Sequence, residues 1–285
     1  MDKKTAAIQN PLIRKIWRRV STDASWVRRY GGFREKEFYG QIKRPNYTYG
    51  LLRAADTALF FGHKGVTACE FGVASGWGLL NMIEVSDMIQ AETGVKFRIV
   101  GFDTGAGLPA VQGYKDHPEL WSRGDFVMGD TNELKAKISG KGELILGNIN
   151  DTIENFVSTI TTESPLGFVS IDVDIYSGTV AALRVLTGNV NCYLPAISFY
   201  LDDVSSYFSN EACGELAAVL EHNAAHPMQS IYPDRSLPGL RPMRTENWYR
   251  HMYVCHMLEH SARNTPRERD SLDLIKHLDF MGSLR

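Results

Sequence analysis

Five short apolar runs between residues 66 and 201, each followed by an acidic residue or a glycine, constrain the fold of this chain most strongly. The segments between them are longer and helical in character, which is the pattern of parallel strands joined by crossover helices. The predicted strands are Val66–Phe71, Phe97–Phe102, Glu143–Leu146, Gly167–Ile171 and Ala196–Leu201. The predicted helices are Gly78–Glu92, Asp151–Thr161, Ser177–Leu186 and Glu211–Ala225. We therefore predict an α/β fold with a Rossmann-like, doubly wound, mostly parallel sheet.

The segments that flank these predicted strands and helices have a different pattern of apolar residues. Apolar residues at helical spacing, including Ile13, Ile16, Trp17 and Val20, and an apolar-rich stretch over Tyr49–Phe61 predict an N-terminal helical cap. Met252–Leu258 predicts a late strand. We expect a cap over residues 1–65, an α/β domain over 66–260 and a peripheral tail over 261–285. The apolar N-terminal helices could also dock against a second copy, which predicts a possible homo-oligomer.

Composition and charge exclude several classes of protein. Hydrophobic residues make up 44% of the 285 residues and charged residues 22%, as in an ordinary globular protein. A formal net charge of −2 gives no overall attraction to nucleic acid, although the N-terminal stretch is locally basic. The start of the chain lacks the apolar run of a signal peptide, and no later segment is apolar for long enough to suggest a membrane span. We expect a cytoplasmic protein with neither a membrane nor a nucleic acid as its partner.

A glycine-rich loop follows the first predicted strand, from Glu70 to Gly78. Glycines in such a loop let the backbone turn sharply and approach a ligand at a helix N-terminus. The loop has neither the GxGxxG spacing of dinucleotide sites nor the lysine of a phosphate-binding loop, and Glu70 disfavours a polyanion. Asp103 ends the second strand, where a carboxylate is placed to accept hydrogen bonds from ribose hydroxyls. These features predict a nucleoside pocket without a phosphate clamp, as suits S-adenosylmethionine.

Four carboxylates follow the fourth and fifth predicted strands: Asp172, Asp174, Asp202 and Asp203. If the two strands are neighbours, these side chains repel one another unless a cation or protons neutralise them. Hard oxygen ligands suit Mg²⁺, Mn²⁺ or Ca²⁺ better than zinc. Helix capping is the alternative, but it accounts for one carboxylate more easily than for four. The sequence thus predicts a divalent metal site beside the nucleoside pocket.

In its ordered motifs the chain resembles the macrocin O-methyltransferase family of class I S-adenosylmethionine-dependent enzymes, which methylate sugar hydroxyls of natural products. The blocks that carry the resemblance span approximately residues 66–225: Glu70-Phe71-Gly72-Val73, Gly101-Phe102-Asp103-Thr104-Gly105-Ala106-Gly107-Leu108-Pro109, Trp121 with Gly124-Asp125-Phe126, Asp172-Val173-Asp174-Ile175-Tyr176-Ser177-Gly178-Thr179 and Asp202-Asp203. The chain departs from the family pattern at two places. Val173 stands where the family usually has glycine, and Gly105-Ala106 stands where it has a Phe-Glu pair.

The resemblance implies a role for each matching residue. Glu70, Gly72 and Gly76 would shape the cofactor pocket and Asp103 would hold the ribose. Asp174 would act as the base, next to a Mg²⁺ ion that is held by aspartates. Asp172 would also belong to the catalytic centre. The full cofactor-binding set is Glu70, Gly72, Ser75, Gly76, Asp103, Thr104 and Asp172, and the metal-binding set is Asp172, Asp202 and Asp203. The expected activity is Mg²⁺-assisted O-methylation of a small-molecule acceptor such as a glycoside.

Two other classes of function stay open on the sequence. A metal-dependent glycosyltransferase could use Asp172 and Asp174 around a sugar nucleotide, although the first loop lacks provision for a diphosphate. A non-catalytic binding protein on the same scaffold is the other. Weaker candidates are metal ligation by His256 and His260, stacking by Trp77 and Trp248, and a substrate lid containing Arg235, Arg241 and Arg244.

Overall fold

The computed structural model describes residues 24–206, 208–237, 241 and 246–266. The predicted stripe from Ile13 to Val20, Arg244 and most of the predicted tail lie outside the described residues. The N-terminal part of the cap, and with it the predicted contact between copies, therefore remains a prediction.

One mixed sheet organises the described residues, with seven strands in the spatial order β3-β2-β1-β4-β5-β7-β6. The strands are β1 (Gly65–Phe71), β2 (Lys96–Asp103), β3 (Glu143–Leu146), β4 (Leu166–Ile171), β5 (Tyr193–Leu201), β6 (Ile231–Pro233) and β7 (Met252–His256). All pairings from β3 to β5 are parallel, while β7 runs antiparallel to both β5 and β6. The predicted doubly wound, mostly parallel fold is confirmed. The strand order reverses between β1 and β4, which is where open sheets of this type bind ligands.

Helices cover both faces of the sheet. They are α1 (Ala24–Tyr30), α2 (Phe33–Phe38), α3 (Pro45–Phe60), α4 (Trp77–Thr93), α5 (Thr131–Ile138), α6 (Ile149–Val157), α7 (Tyr176–Leu183) and α8 (Gly214–Ala225). Strand side chains alternate between two apolar clusters, so that Ala68 packs on the α3 and α4 side and Cys69 on the α6 and α7 side. Among the described helices, none has both the length and the apolar character that a bilayer crossing requires.

Helix α3 lies directly on β4 and β5. Its Tyr47 is fully buried, and its Gly50 approaches the strand so closely that an added Cβ would lie 2.2 Å from the ring of Phe168. Only a residue without a side chain permits this spacing, since a methyl group at that distance overlaps the ring. The helix is therefore fixed against the sheet with its N-terminus at the edge where the strands end.

Element boundaries and two small elements differ from the sequence prediction. The α6 helix ends at Val157 rather than residue 161, α8 begins at Gly214 rather than residue 211, and the late strand ends at His256 rather than residue 258. The sequence prediction missed α5 and β6. Helix α5 buries only Leu134 and Ile138, so its apolar period is weak. Strand β6 has three residues and ends in proline, which suits a sheet edge but not a strand pattern.

Candidate active site

A cavity of about 380 Å³ opens at the carboxyl ends of β1, β2, β4 and β5. Its wall contains both the glycine-rich loop after β1 and three of the four predicted aspartates, Asp172, Asp174 and Asp202. The strands are parallel, so residues separated by more than a hundred positions meet at one edge of the sheet. The predicted cofactor loop and two of the three predicted metal ligands, Asp172 and Asp202, thus share one cavity.

Gly72 begins the glycine turn with a left-handed φ of +88°. An added Cβ would lie 1.7 Å from the backbone oxygen of Asp172, so the loops after β1 and β4 touch through this residue. Ser75 lines the cavity, whereas Gly76 does not. Gly76 precedes α4 with a φ of +83° and faces Leu134. Its predicted role in the cofactor pocket is therefore indirect.

Asp103 holds the glycine turn in place. Its Oδ2 accepts hydrogen bonds from the backbone N–H groups of Val73 (3.0 Å) and Ala74 (2.8 Å), and its Oδ1 accepts one from Gly105 (2.7 Å). A carboxylate offers about four acceptor positions, so roughly one remains for a ligand hydroxyl. Thr104 also lines the cavity, and its hydroxyl is bonded within its own loop, to the backbone of Ala106 and Gly107.

Glu70 is buried at the base of the cavity, with 2% of its surface exposed. The hydroxyl of Tyr47 donates to its Oε1 at 2.6 Å and accepts from the Ser170 hydroxyl at 3.0 Å. Burial raises the pKa of Glu70 to about 7, although the Tyr47 hydrogen bond and the positive charge of Arg44 lower it. The carboxylate also lies so close to Gly78 that no side chain fits there. Glu70 therefore lines the base of the cavity and shapes the start of α4.

Asp172, Asp202 and Asp203 form a carboxylate cluster. Each offers one oxygen, and these oxygens lie within 4.8 Å of one another. They meet because β4 and β5 are neighbours in the sheet, with Ile171 opposite Leu201. Tyr200 donates a hydrogen bond to Asp202 and orients it. This is the only such group of possible metal ligands in the described part of the chain, and a donor set of hard oxygens fits Mg²⁺ or Ca²⁺.

The electrostatics of the cluster favour a bound cation. Burial, and then repulsion from Asp202, Asp203 and Asp174, raises the pKa of Asp172 well above its ordinary value. The pKa of Asp203 is raised to about 6 by the same two causes. Behind them Glu215 is buried, accepts a hydrogen bond from the Asp203 backbone N–H at 2.8 Å, and has an Oε1 without a partner among the described residues. Excess negative charge in a buried site is relieved by protons or by a metal ion.

Asp174 occupies the centre of a tight turn, with a left-handed φ of +61°. The Ile175 N–H closes the turn by donating to the Val173 carbonyl at 2.6 Å, and the Asp174 N–H donates to Asp203 Oδ2 at 3.2 Å. Burial, and then the charges of Asp203 and Asp202, raises the pKa of Asp174 to about 7. Val173 itself has no positive φ and is buried. The valine that departs from the family pattern therefore meets no conformational obstacle here.

The long segment between β2 and α5 closes one side of the cavity. Two blocks of the sequence motif pair in it, since Leu108 N–H donates to the Asp125 carbonyl (2.8 Å) and Gly124 N–H donates to the Leu108 carbonyl (2.9 Å). Buried Asp116 ties the segment to α7 by accepting from both the backbone N–H (2.7 Å) and the hydroxyl (2.8 Å) of Ser177. Leu108 and Phe126 consequently form an apolar wall of the cavity.

The residues of this site that sequence analysis missed include Arg44, Tyr47, Asn148 and Glu215. Arg44 and Asn148 line the cavity, while Tyr47 and Glu215 support its carboxylates from behind. Asn148 follows β3, and its place after a predicted strand is the one signal that could have found it. The others come from helices, and only the packing of those helices against the sheet shows that they reach the site.

The comparisons with known proteins support the fold. No protein-family model matches the sequence, and no curated protein matches it either. Solved structures do match: CalS11, a calicheamicin methyltransferase, has a TM-score of 0.50 and 15% identity over 90% of this chain and 96% of its own. The O-methyltransferase NovP has a TM-score of 0.51 and 15% identity over 86% of this chain and 98% of its own. This chain has the class I methyltransferase fold. At such low identity the likeness extends to the fold alone.

The weaker candidates from the sequence lie mostly outside this cavity. His256 is on β7 and His260 follows it, and neither belongs to the described carboxylate cluster. Trp248 packs against Tyr49, whereas Trp77 borders the cavity and is 64% exposed. Arg241, a predicted lid residue, is instead buried and paired with Glu37, because three aromatic rings and a buried carboxylate surround its guanidinium.

Proposed function

We propose that this protein is an S-adenosylmethionine-dependent O-methyltransferase, assisted by Mg²⁺, that acts on a hydroxyl of a sugar or small natural product. One observation carries the proposal: a glycine turn without a phosphate clamp opens into the same cavity as Asp172 and Asp202, two of the three clustered carboxylates. The motifs that resemble those of the macrocin O-methyltransferase family lie at these positions. The shared fold with two methyltransferases agrees with the proposal.

The cofactor would lie across the carboxyl ends of β1 and β2. Gly72 and Ser75 line its path, and Asp103 has acceptor capacity for one ribose hydroxyl after holding the turn. Asn148, beyond β3, borders the same end of the cavity. Glu70 and Thr104 also line the cavity, whereas Gly76 acts indirectly by fixing the start of α4.

Asp172, Asp202 and Asp203 would hold the metal ion. A bound Mg²⁺ supplies a Lewis acid that lowers the pKa of an acceptor hydroxyl. Asp174 is the base that takes the hydroxyl proton, and a pKa of about 7 suits a group that must exchange protons near neutral pH. S-adenosylmethionine, when bound, would supply a methyl group on a sulfonium, which the acceptor oxygen would take from sulfur as Asp174 receives the hydroxyl proton. Orientation of the acceptor against the sulfonium supplies much of the acceleration.

Titration calorimetry with S-adenosylhomocysteine, with UDP-glucose, and with each in the presence of Mg²⁺ tests the class of function. We expect S-adenosylhomocysteine to bind and UDP-glucose not to bind. Binding of UDP-glucose in its place would identify a glycosyltransferase, and binding of neither compound would favour a non-catalytic protein.

Transfer of labelled methyl groups from S-adenosylmethionine to a panel of glycosides and small phenols tests the reaction itself. We expect label on a hydroxyl oxygen, with a rate that falls when EDTA removes divalent metal and recovers when Mg²⁺ is added in excess. A rate unaffected by EDTA would contradict the role of the metal without contradicting methyl transfer.

A further inference from the structure

A half-buried arginine borders the candidate active site without a salt bridge, although its charge acts on nearby Glu70. Arg44 immediately precedes α3 and lines the cavity. Within the described part of the chain, its guanidinium has no hydrogen bond and no carboxylate within ion-pair distance. Its contact is instead the ring of Tyr47, with Cζ 5.4 Å from the ring centroid. A partly desolvated guanidinium with five free N–H donors favours an anionic ligand.

Arg44 is a cation in a cavity wall whose other charged residues, in the described part of the chain, are acidic. Among the described residues of the wall, Arg44 carries the positive charge, and five carboxylates face it or lie near it: Glu70, Asp103, Asp172, Asp174 and Asp202. A cavity with this composition repels a polyanion over most of its surface. It accepts a single negative charge only at the end where Arg44 stands, and the N-terminus of the 16-residue α3 adds to the positive potential there.

The order of the strands decides which part of the cofactor reaches Arg44. Asp103 and Asn148 follow β2 and β3, so the adenosine end belongs on that side of β1. The methyl group must point to the carboxylate cluster after β4 and β5. Helix α3 packs on β4 and β5, and Arg44 lies at its cavity end, with its guanidinium over the ring of Tyr47. The part of the cofactor left for this corner is the amino-acid tail, which ends in a carboxylate.

We propose that Arg44 binds the α-carboxylate of the amino-acid tail of S-adenosylmethionine. This assignment rests on the proposed function. A guanidinium fork matches a carboxylate through two parallel hydrogen bonds. The ring of Tyr47 holds the guanidinium in place, and the same tyrosine anchors Glu70, so one turn of α3 supports both the floor of the cavity and its anion-binding corner.

Calorimetry with two related ligands tests the proposal: S-adenosylhomocysteine, and its decarboxylated analogue, which keeps the adenosine, the sulfur and the amine. We expect the wild-type protein to prefer S-adenosylhomocysteine by roughly 10- to 100-fold, the range of a charged hydrogen bond. Arg44→Met should remove this preference by weakening S-adenosylhomocysteine alone. Arg44→Lys should keep part of it, since lysine retains the charge but not the fork.

Lys43→Met is the matched control, because it removes a neighbouring positive charge that lies outside the cavity wall. It should leave both affinities unchanged. Methionine at position 44 adds no backbone strain relative to arginine, since φ is already +47° there and both residues disfavour that region equally. Circular dichroism of each variant checks that it folds.

Three outcomes would overturn the assignment. An Arg44→Met protein with wild-type affinity for S-adenosylhomocysteine would do so, as would an equal loss for both ligands. An unchanged cofactor affinity with a raised KM for the methyl acceptor would assign Arg44 to an anionic group of the acceptor instead. If the wild-type protein binds no S-adenosylhomocysteine, the proposed function fails first, which separates the two failures.

Discussion

Asp174 combines a carboxylate of raised pKa with a backbone conformation that few residues adopt. Outliers of this kind occur at functional sites, where the surrounding structure holds them in place. Here Asp203 accepts the Asp174 N–H and the Ile175 N–H closes the turn. Aspartate and asparagine tolerate left-handed backbone better than other side chains. The position therefore accepts an isosteric substitution that removes the charge and keeps the turn.

Asp174→Asn should reduce methyl transfer by roughly 100-fold or more, because general-base catalysis contributes about that factor. Affinity for S-adenosylhomocysteine should stay within about twofold of wild type, since the turn and its hydrogen bonds persist. Single-turnover kinetics and calorimetry measure the two quantities. A variant that transfers methyl groups at the wild-type rate would exclude Asp174 as the base.

Asp202→Asn should abolish the Mg²⁺-dependent part of turnover and leave cofactor affinity largely intact. Asp202 supplies one of three carboxylate oxygens within 4.8 Å, while the glycine turn is held independently by Asp103. Activity titrated with Mg²⁺ measures the effect. Asp151→Asn, an exposed aspartate in the first turn of α6, serves as the control and should behave as wild type. Wild-type Mg²⁺ dependence in the Asp202 variant would contradict the assigned metal site.

At the scale of elements, a buried ion pair joins α2 to the segment before β7. Arg241 donates to both the side chain and the backbone carbonyl of Glu37, and its guanidinium lies 5.0–5.8 Å from the rings of Phe38, Tyr49 and Trp248. Burial still raises the pKa of Glu37 despite this partner. The pair connects residues 204 positions apart, so it fixes the late segment against the N-terminal helices.

Arg241→Met should lower the free energy of unfolding by about 3–5 kcal/mol, because it leaves a buried carboxylate without its partner. The double variant Glu37→Met with Arg241→Met should recover most of that loss, since two apolar side chains need no partner. Urea unfolding of the three proteins measures both effects. A single variant that loses less than about 1 kcal/mol, the cost of a surface pair, would contradict the structural role of Arg241.

The sequence alone predicted the parallel strands and the acidic residues that follow them, because both depend on local patterns. Buried parallel strands are continuous apolar runs, and each catalytic candidate sits one residue or a few residues after such a run. Arg44, Tyr47 and Glu215 could not be predicted in the same way. These residues reach the site only because helices dock on the sheet, as α3 does at Gly50. The spacing of apolar residues in a helix does not predict which of its turns will face which strand end.

At the scale of the whole molecule, the site makes stability depend on pH. The folded pKa values of Glu70 and Asp174 are about 7, and that of Asp203 is about 6, whereas such carboxyls titrate near pH 4 in an unfolded chain. Between about pH 4 and pH 7 the folded protein therefore binds more protons than the unfolded chain. These groups stabilise the fold below that window, and their contribution is lost as the pH rises through it.

In EDTA, the free energy of unfolding should be lower at about pH 8 than at about pH 5, because the carboxylates are then charged and unneutralised. Excess Mg²⁺ should restore stability at the higher pH by binding the folded state. Urea unfolding at both pH values, with and without metal, measures this. Asp174→Asn should show a shallower decline, and a wild-type stability that rises with pH in EDTA would contradict the prediction.

The missing side chain at Gly72 also determines how closely two loops at the cavity approach each other. The peptide oxygen of Asp172 fills the volume that a methyl group at Gly72 would need, so the loops after β1 and β4 touch backbone to backbone. The Asp172 N–H also donates to the Phe71 carbonyl at 2.9 Å, so moving the two loops apart breaks a backbone hydrogen bond. The two halves of the ligand-binding edge are thus joined through their backbones, and in the proposed reaction their close approach at Gly72 would set the distance between the methyl donor and the acceptor hydroxyl.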